Sequence, residues 1–373
     1  MDQKRVALRN PYICGGWVRG PHFYGRQKLV QEIVSGHFEA LYIMGGRRSG
    51  KTSLLRRVEE VCFGEGRPCL FLDLQTTGRR MEGLFQVLRA ELRDKARHWE
   101  HLFSRDLLAA PDLFTLTDEL IGRVEVQGME LLLLLDEVEV LLEMASSFSG
   151  PLARLWEVWH ECPALQVVVA ASRALSSMGQ VLRSQLSYPF WEGFQLCCLA
   201  HLDDTAAEAL IQQRNSPSPV RVAPHLMQRI KEATGCQPYL LQLLCQPLYQ
   251  PDHSLRPLTE SDLEVDELLG SLFRADYQNL LSEERKLLWL IADRPGEDIS
   301  ALQAATGLEG EGLATCLRWL ESLGYVQPQG EQLFIANRFL ASWLLSHREE
   351  LQDMPISKYA LGELRGMEYG LST

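Results

Sequence analysis

The sequence lacks most of the features that would place it in an oxidising or membrane setting. Its nine cysteines (14, 62, 69, 162, 197, 198, 236, 245 and 316) form no C-x-x-C pair and fall mostly within apolar runs, which reads as buried, reduced thiols. No stretch reaches eighteen apolar residues, and the opening Met-Asp-Gln-Lys-Arg has no apolar signal core, so the expectation is a soluble, cytoplasmic chain with no membrane segment. Positive charge is also scarce. The 37 Lys and Arg against 49 Asp and Glu leave a formal charge of -12, which argues against bulk attraction to nucleic acid but leaves room for a local basic patch. No HExxH, GxSxG or cysteine-protease signature supplies a hydrolytic centre of those kinds.

What the chain does carry is Gly45-Gly46-Arg47-Arg48-Ser49-Gly50-Lys51-Thr52, directly after the apolar run Leu41-Tyr42-Ile43-Met44. This is the GxxxxGKT phosphate loop in its proper place between a strand and a helix, here Lys51 to Glu60 with Ser53 in its first turn. A Gly-rich turn at that position points successive backbone N–H groups at a β-phosphate and adds the positive end of a helix dipole. Lys51 then reaches the β- and γ-phosphates, and the Thr52 hydroxyl binds Mg²⁺.

A phosphate loop needs a carboxylate from another strand. Leu131 to Leu135 is an apolar run suited to a strand buried on both faces, and it ends in Asp136-Glu137. Asp136 is placed to hold Mg²⁺ through water and Glu137 to polarise the attacking water. An acidic pair at a strand end is elsewhere often a solvated turn; here it lies about 85 residues after the loop, a gap that fits one extra β-α unit. A third strand, Leu165 to Ala171, ends in Ser172-Arg173. If its tip lies between the two motifs, Ser172 can bond the attacking water and Arg173 can reach the γ-phosphate; the plain alternative is an arginine solvated after a core strand.

Further strands are expected at Cys69 to Leu74 and Phe194 to Leu199. Met81, Leu84, Phe85, Leu88 and Leu92 repeat at helical spacing, and on another side of that helix Arg89, Arg93 and Arg97 stand four apart. Those arginines suit an acidic neighbour or a nucleic-acid backbone, although a solvated face is the commoner reading. After His201 the pattern turns helical. Asp203 to Gln213 and Pro224 to Leu248 form an expected lid, in which Gly235-Cys236-Gln237-Pro238 precedes a helix that Pro238 is suited to start. From Leu280 to Leu345 three helices and a hairpin suggest a winged helix. The helix that would enter a DNA groove carries Glu309 and Glu311 at its start, and the segment holds nine acidic against five basic residues, which favours a protein-contact role over DNA reading. With 373 residues, 46% of them hydrophobic, the chain can fill more than one core. The expected division is a P-loop domain at 1–200, a helical lid at 201–270, a winged helix at 271–348 and a tail at 349–373.

Taken in order, Phe23-Tyr24-Gly25-Arg26, Gly45 to Thr52 with Ser53-Leu54-Leu55, Leu131 to Glu137, Ser172-Arg173, Gly235 to Pro238 and the terminal helices resemble the AAA+-like STAND and archaeal-type ATPases, a group related to origin-recognition ATPases. The resemblance spans roughly residues 10 to 345. It implies an α/β P-loop fold with helices on both faces of a parallel sheet, a helical lid and a winged helix. It also implies ATP or ADP with Mg²⁺ as cofactors, Tyr24, Gly25 and Arg26 on the adenine side, and Pro238 against the nucleotide. Cys236-Gln237 departs from the usual small residues of the lid motif. Members of this group act as switches that change conformation or self-associate with ATP and are reset by slow hydrolysis, in signalling or defence. That is the first expectation here, with a protein partner. The rival is a DNA-handling ATPase resembling replication initiators or transposition regulators, with Arg89, Arg93 and Arg97 on a nucleic-acid path and Arg183 as a weak candidate for a finger acting in trans.

Overall fold

The computed structural model describes residues 10–172, 193–308, 310–352 and 354, which cluster into two compact units. The first comprises residues 27–45, 51–172 and 193–198, and the second 10–26, 46–50 and the described residues from 199 on.

In the first unit, five strands form one sheet: β1 (Ala40–Met44), β2 (Cys69–Asp73), β3 (Leu131–Asp136), β4 (Leu165–Ala171) and β5 (Gln195–Cys198). Their order is β2-β3-β4-β1-β5, and every pairing is parallel. β1 and β3 are buried along their whole length, which explains why both read as unbroken apolar runs rather than alternating ones. Helices α1 (Gln27–Val34), α2 (Lys51–Glu65), α3 (Met81–Lys95), α4 (Leu113–Val126) and α5 (Glu139–Glu161) connect and cover the strands. α2 runs further than the expected end at Glu60, because Cys62 continues the buried stripe of Leu54, Leu55 and Val58; the chain then turns at Gly66, whose φ is 72°. Asp112 caps α4 by accepting from Phe114 N and Thr115 N at 2.9 and 3.0 Å. α5 kinks at Phe148, three residues before Pro151, where the proline ring displaces a helical hydrogen bond.

The register aligns the carboxyl ends of the strands: Asp73 lies opposite Asp136, and Met44 opposite Ala171. One edge of the sheet therefore presents the ends of β2, β3, β4 and β1 side by side. β4 stands between the strand that leads into the phosphate loop and the strand that ends in Asp136, which meets the condition set for Ser172.

The second unit is helical. It contains α6 (Asp204–Ile211), α7 (Pro224–Thr234), α8 (Pro238–Leu248), α9 (Glu267–Tyr277), α10 (Ser282–Asp293), α11 (Ile299–Thr306) and α12 (Gly310–Ser322). An antiparallel hairpin of β6 (Val326–Gln329) and β7 (Gln332–Ile335) follows, then α13 (Arg338–Ser346). The span Pro224 to Leu248 holds two helices, broken where Gly235 and Cys236 adopt φ of 56° and 57°. One continuous core runs through the unit, from Tyr12 and Tyr24 through Leu240, Leu241 and Ile291 to Trp343. Among the described residues no helix is long and apolar enough to cross a membrane.

Candidate functional site

The first unit brings five of the sequence-selected side chains to one edge of its sheet. Gly45 donates its N–H to the Ala171 carbonyl at 3.2 Å, so the start of the loop is pinned to the tip of β4. The loop bends through left-handed backbone at Arg48 (φ 60°) and Gly50 (φ 96°), conformations that turn N–H groups inward. Lys51, the first residue of α2, is buried, and its ammonium donates to the Gly45 carbonyl at 2.8 Å and to Ser172 Oγ at 3.4 Å. One residue on, the Thr52 hydroxyl donates to Asp136 Oδ2 at 2.6 Å, while the other Asp136 oxygen accepts the backbone N–H of Glu137 at 3.1 Å. Burial pushes the Asp136 carboxyl above its ordinary range, against the opposing pull of the Thr52 hydrogen bond.

Glu137 carries a φ of 56°, a left-handed conformation that an L-residue adopts at some cost. That bend lets the chain leave β3 and enter α5 while the Glu137 carboxylate stays at the sheet edge, where Gln75 Nε2 donates to it at 3.5 Å. Sequence reasoning gave Glu139 no role. Its Oε1 accepts the backbone N–H of Ser172, and its Oε2 is buried without a partner. Burial, then the negative charge of Glu137, holds its carboxyl above the usual range. Spacing alone gave no signal for it, because its partner lies 33 residues away in the chain. Arg173 and Arg183 lie outside the described residues, as does Glu309; Glu311 stands in the first turn of α12.

The chemistry of this set suits a metal that is shared with a ligand. Among the described residues no three His, Cys, Asp or Glu side chains converge as a cage for an ion. Mg²⁺ does not need one, since it is bound through one or two side chains with water and phosphate oxygens completing its shell. Thr52 and Asp136, already joined, fit that demand. In the second unit, Ser49 is buried and its hydroxyl has no hydrogen-bond partner among the described residues.

The second unit holds the other candidates, with the loop tip 46–50 among them. Tyr24 is buried in its helical core, and its hydroxyl accepts from Asn215 N at 3.4 Å. Gly25, with φ 72°, has Ala206 Cβ and Leu202 Cδ2 both 2.9 Å from where a Cβ would sit, so a side chain there would collide with α6. Arg26 donates to the Ala200 carbonyl at 2.8 Å, and its guanidinium lies 2.8 Å from the Cβ position of Gly50. Pro238 occupies the first turn of α8, where its missing N–H costs nothing. Arg48 lies over the neighbouring Tyr239 ring at 5.1 Å, and Arg47 pairs with Asp276 at 3.5 Å. In the first unit, Arg93 on α3 and Arg97 in the turn after it are exposed and make no ion pair among the described residues, whereas Arg89 is half-buried and lies over the Phe85 ring.

No protein-family model matches the chain, and no curated protein sequence does. Solved structures do match. The Walker-type ATPase of Pyrococcus abyssi superposes with a TM-score of 0.63 at 16% identity, over 90% of this chain and 99% of that one. The ORC2 protein of Aeropyrum pernix in its ADP form gives a TM-score of 0.44 at 16% identity, over 87% and 91% of the two chains. Cdc6p of Pyrobaculum aerophilum gives 0.42 at 13%, over 89% and 97%. At these identities the likeness is one of fold, and the first of the three carries it. The chain has the fold of a P-loop nucleoside triphosphatase: a parallel sheet with helices and an inserted strand, β4, followed by a helical region that ends in a hairpin and a helix.

Proposed function

We infer that the chain binds ATP with Mg²⁺, hydrolyses it slowly and works as a nucleotide-dependent switch that controls a protein partner. The observation that carries this reading is the convergence of Lys51, Thr52, Asp136 and Ser172 on one sheet edge, joined by hydrogen bonds of 2.6 to 3.4 Å. Residues Gly45 to Ser53 would cradle the phosphates, with Lys51 neutralising the β- and γ-groups and Thr52 and Asp136 holding the metal. Glu137 would orient the attacking water and Ser172 would bond it, with Arg173 reaching the γ-phosphate. Tyr24, Gly25, Arg26 and Pro238 keep their assignment to the base and lid as part of this proposal. So do the lid at 201–270 and a winged helix at 271–348; three helices followed by an antiparallel hairpin support the latter. A switch of this kind shifts only as far as ATP and ADP differ in affinity for its two states, which makes γ-phosphate contacts the working part.

Exposed Arg93 and Arg97, without ion pairs among the described residues, support a second reading as a DNA-handling ATPase. One experiment separates the two: the full chain is sized with ADP and with a non-hydrolysable ATP analogue, each with and without duplex DNA. The switch reading predicts a change in mass or shape with the analogue alone. A change that needs DNA, and is abolished by charge reversal at Arg89, Arg93 and Arg97, would replace the first reading with the second.

A further inference from the structure

Glu139 opens α5 three residues after Asp136, and one of its oxygens does a definite job. Oε1 accepts the backbone N–H of Ser172, the residue that follows β4. The Ser172 hydroxyl in turn accepts from the Lys51 ammonium at 3.4 Å. The preceding carbonyls of the same strand end are also engaged, Ala170 by Val138 N at 3.0 Å and Ala171 by Gly45 N at 3.2 Å. The tip of β4 is therefore tied on one side to the phosphate loop and on the other to the start of α5. The tie through Glu139 Oε1 comes from a side chain that burial penalises. Its second oxygen, Oε2, is buried with no partner, an arrangement that packing alone disfavours. A carboxylate kept at such a point is doing more than filling space.

We propose that Glu139 is a positioning residue for γ-phosphate recognition: it fixes the end of β4 so that the Ser172 hydroxyl stays beside Lys51, facing the terminal phosphate and the water that attacks it. The proposal rests on the reading of the chain as an ATP-binding protein. Because ADP lacks the γ-phosphate, Glu139 matters for ATP and not for ADP, and it acts only through Ser172.

Calorimetric titration of the full chain with Mg²⁺-ADP and with a Mg²⁺-bound non-hydrolysable ATP analogue tests this in wild type, Glu139→Gln and Glu139→Ala. Both substitutions remove the charge, yet the glutamine amide oxygen still accepts the Ser172 N–H, so comparing the two isolates the positioning bond. The analogue is expected to bind about tenfold more weakly to Glu139→Ala than to Glu139→Gln, while ADP binds the two within about twofold. Adding Glu139→Ala to Ser172→Ala should bring no further loss, since the pair works as one unit. Glu139→Met, which fills the space without an acceptor, replaces alanine if that variant does not fold, and the same loss is expected. Equal analogue affinities in the glutamine and alanine variants, or an equal loss for ADP, would overturn the proposal and leave ATP binding intact. A wild-type chain that binds neither nucleotide would overturn the underlying reading, and this proposal with it.

Discussion

At the scale of single residues, the sheet edge is costly to build. Asp136 is the clearest case. Its carboxyl is raised by burial, so the folded state holds the proton more tightly than the unfolded chain. A raised carboxyl contributes stability that is present below the unfolded value, near 3.9, and is lost as pH rises through the folded value. At neutral pH the ionised group is therefore a net burden on the nucleotide-free fold. Asp136→Asn is expected to raise the melting temperature of the nucleotide-free chain at pH 7, with the difference shrinking towards pH 4, by calorimetry at both pH values. The same variant should lose the Mg²⁺ dependence of nucleotide binding, a stability gained against function. Glu137 makes a different prediction, because glutamine keeps its shape and its bond with Gln75 while removing the carboxylate proposed to orient the attacking water. Glu137→Gln should bind ATP with near wild-type affinity and lower turnover by about 10²-fold or more, read by phosphate release in single-turnover mixing. Unchanged turnover would assign the base elsewhere.

At the scale of elements, the glycine of the Gly235-Cys236-Gln237-Pro238 turn is held by more than its own φ of 56°. A Cβ on Gly235 would lie 1.9 Å from the Ala336 carbonyl oxygen, just after β7. This turn and the end of the hairpin pack backbone against backbone. Gly235→Ala is expected to cost about 2 kcal/mol or more, a fall of roughly 4–8 °C in melting temperature, measured by scanning calorimetry. An unchanged melting temperature would mean that this contact yields freely.

That glycine also marks the limit of what the sequence discloses. The strands were legible because buried parallel strands read as apolar runs bounded by polar ends, and the gap between Gly45 and Asp136 had room for the β-α unit that β2 opens. Lys51, Thr52, Asp136 and Ser172 were legible because each sits at a strand end or helix start that its neighbours announce. The break in Pro224 to Leu248 was partly visible, since Gly235 and Pro238 are a stop and a start. The carbonyl of Ala336 against Gly235 was not, being 101 positions away in the chain and without a side-chain signature. Glu139 escaped for the same reason. Its value lies in a bond to a backbone N–H on another strand, and one glutamate in Asp-Glu-Val-Glu looks like any other.

At the scale of the whole molecule, each unit has its own core, and the charge of -12 is spread over a chain whose acidic excess includes the carboxylates of the sheet edge. Asp73, Asp136, Glu137 and Glu139 stand at that edge, where Asp136 and Glu139 feel the charge of one buried lysine. A polyphosphate could not approach such a cluster alone, and its binding should therefore depend on a divalent cation more steeply than the lysine by itself would suggest. The central claim, that this edge is an ATP site, is tested most directly by calorimetric titration of ATP into wild type and Lys51→Ala, each with Mg²⁺ and with a chelator. An ATP site predicts binding by wild type with Mg²⁺, weakening by at least about tenfold on chelation, and loss of binding in Lys51→Ala. ATP affinity in Lys51→Ala equal to that of wild type would contradict it.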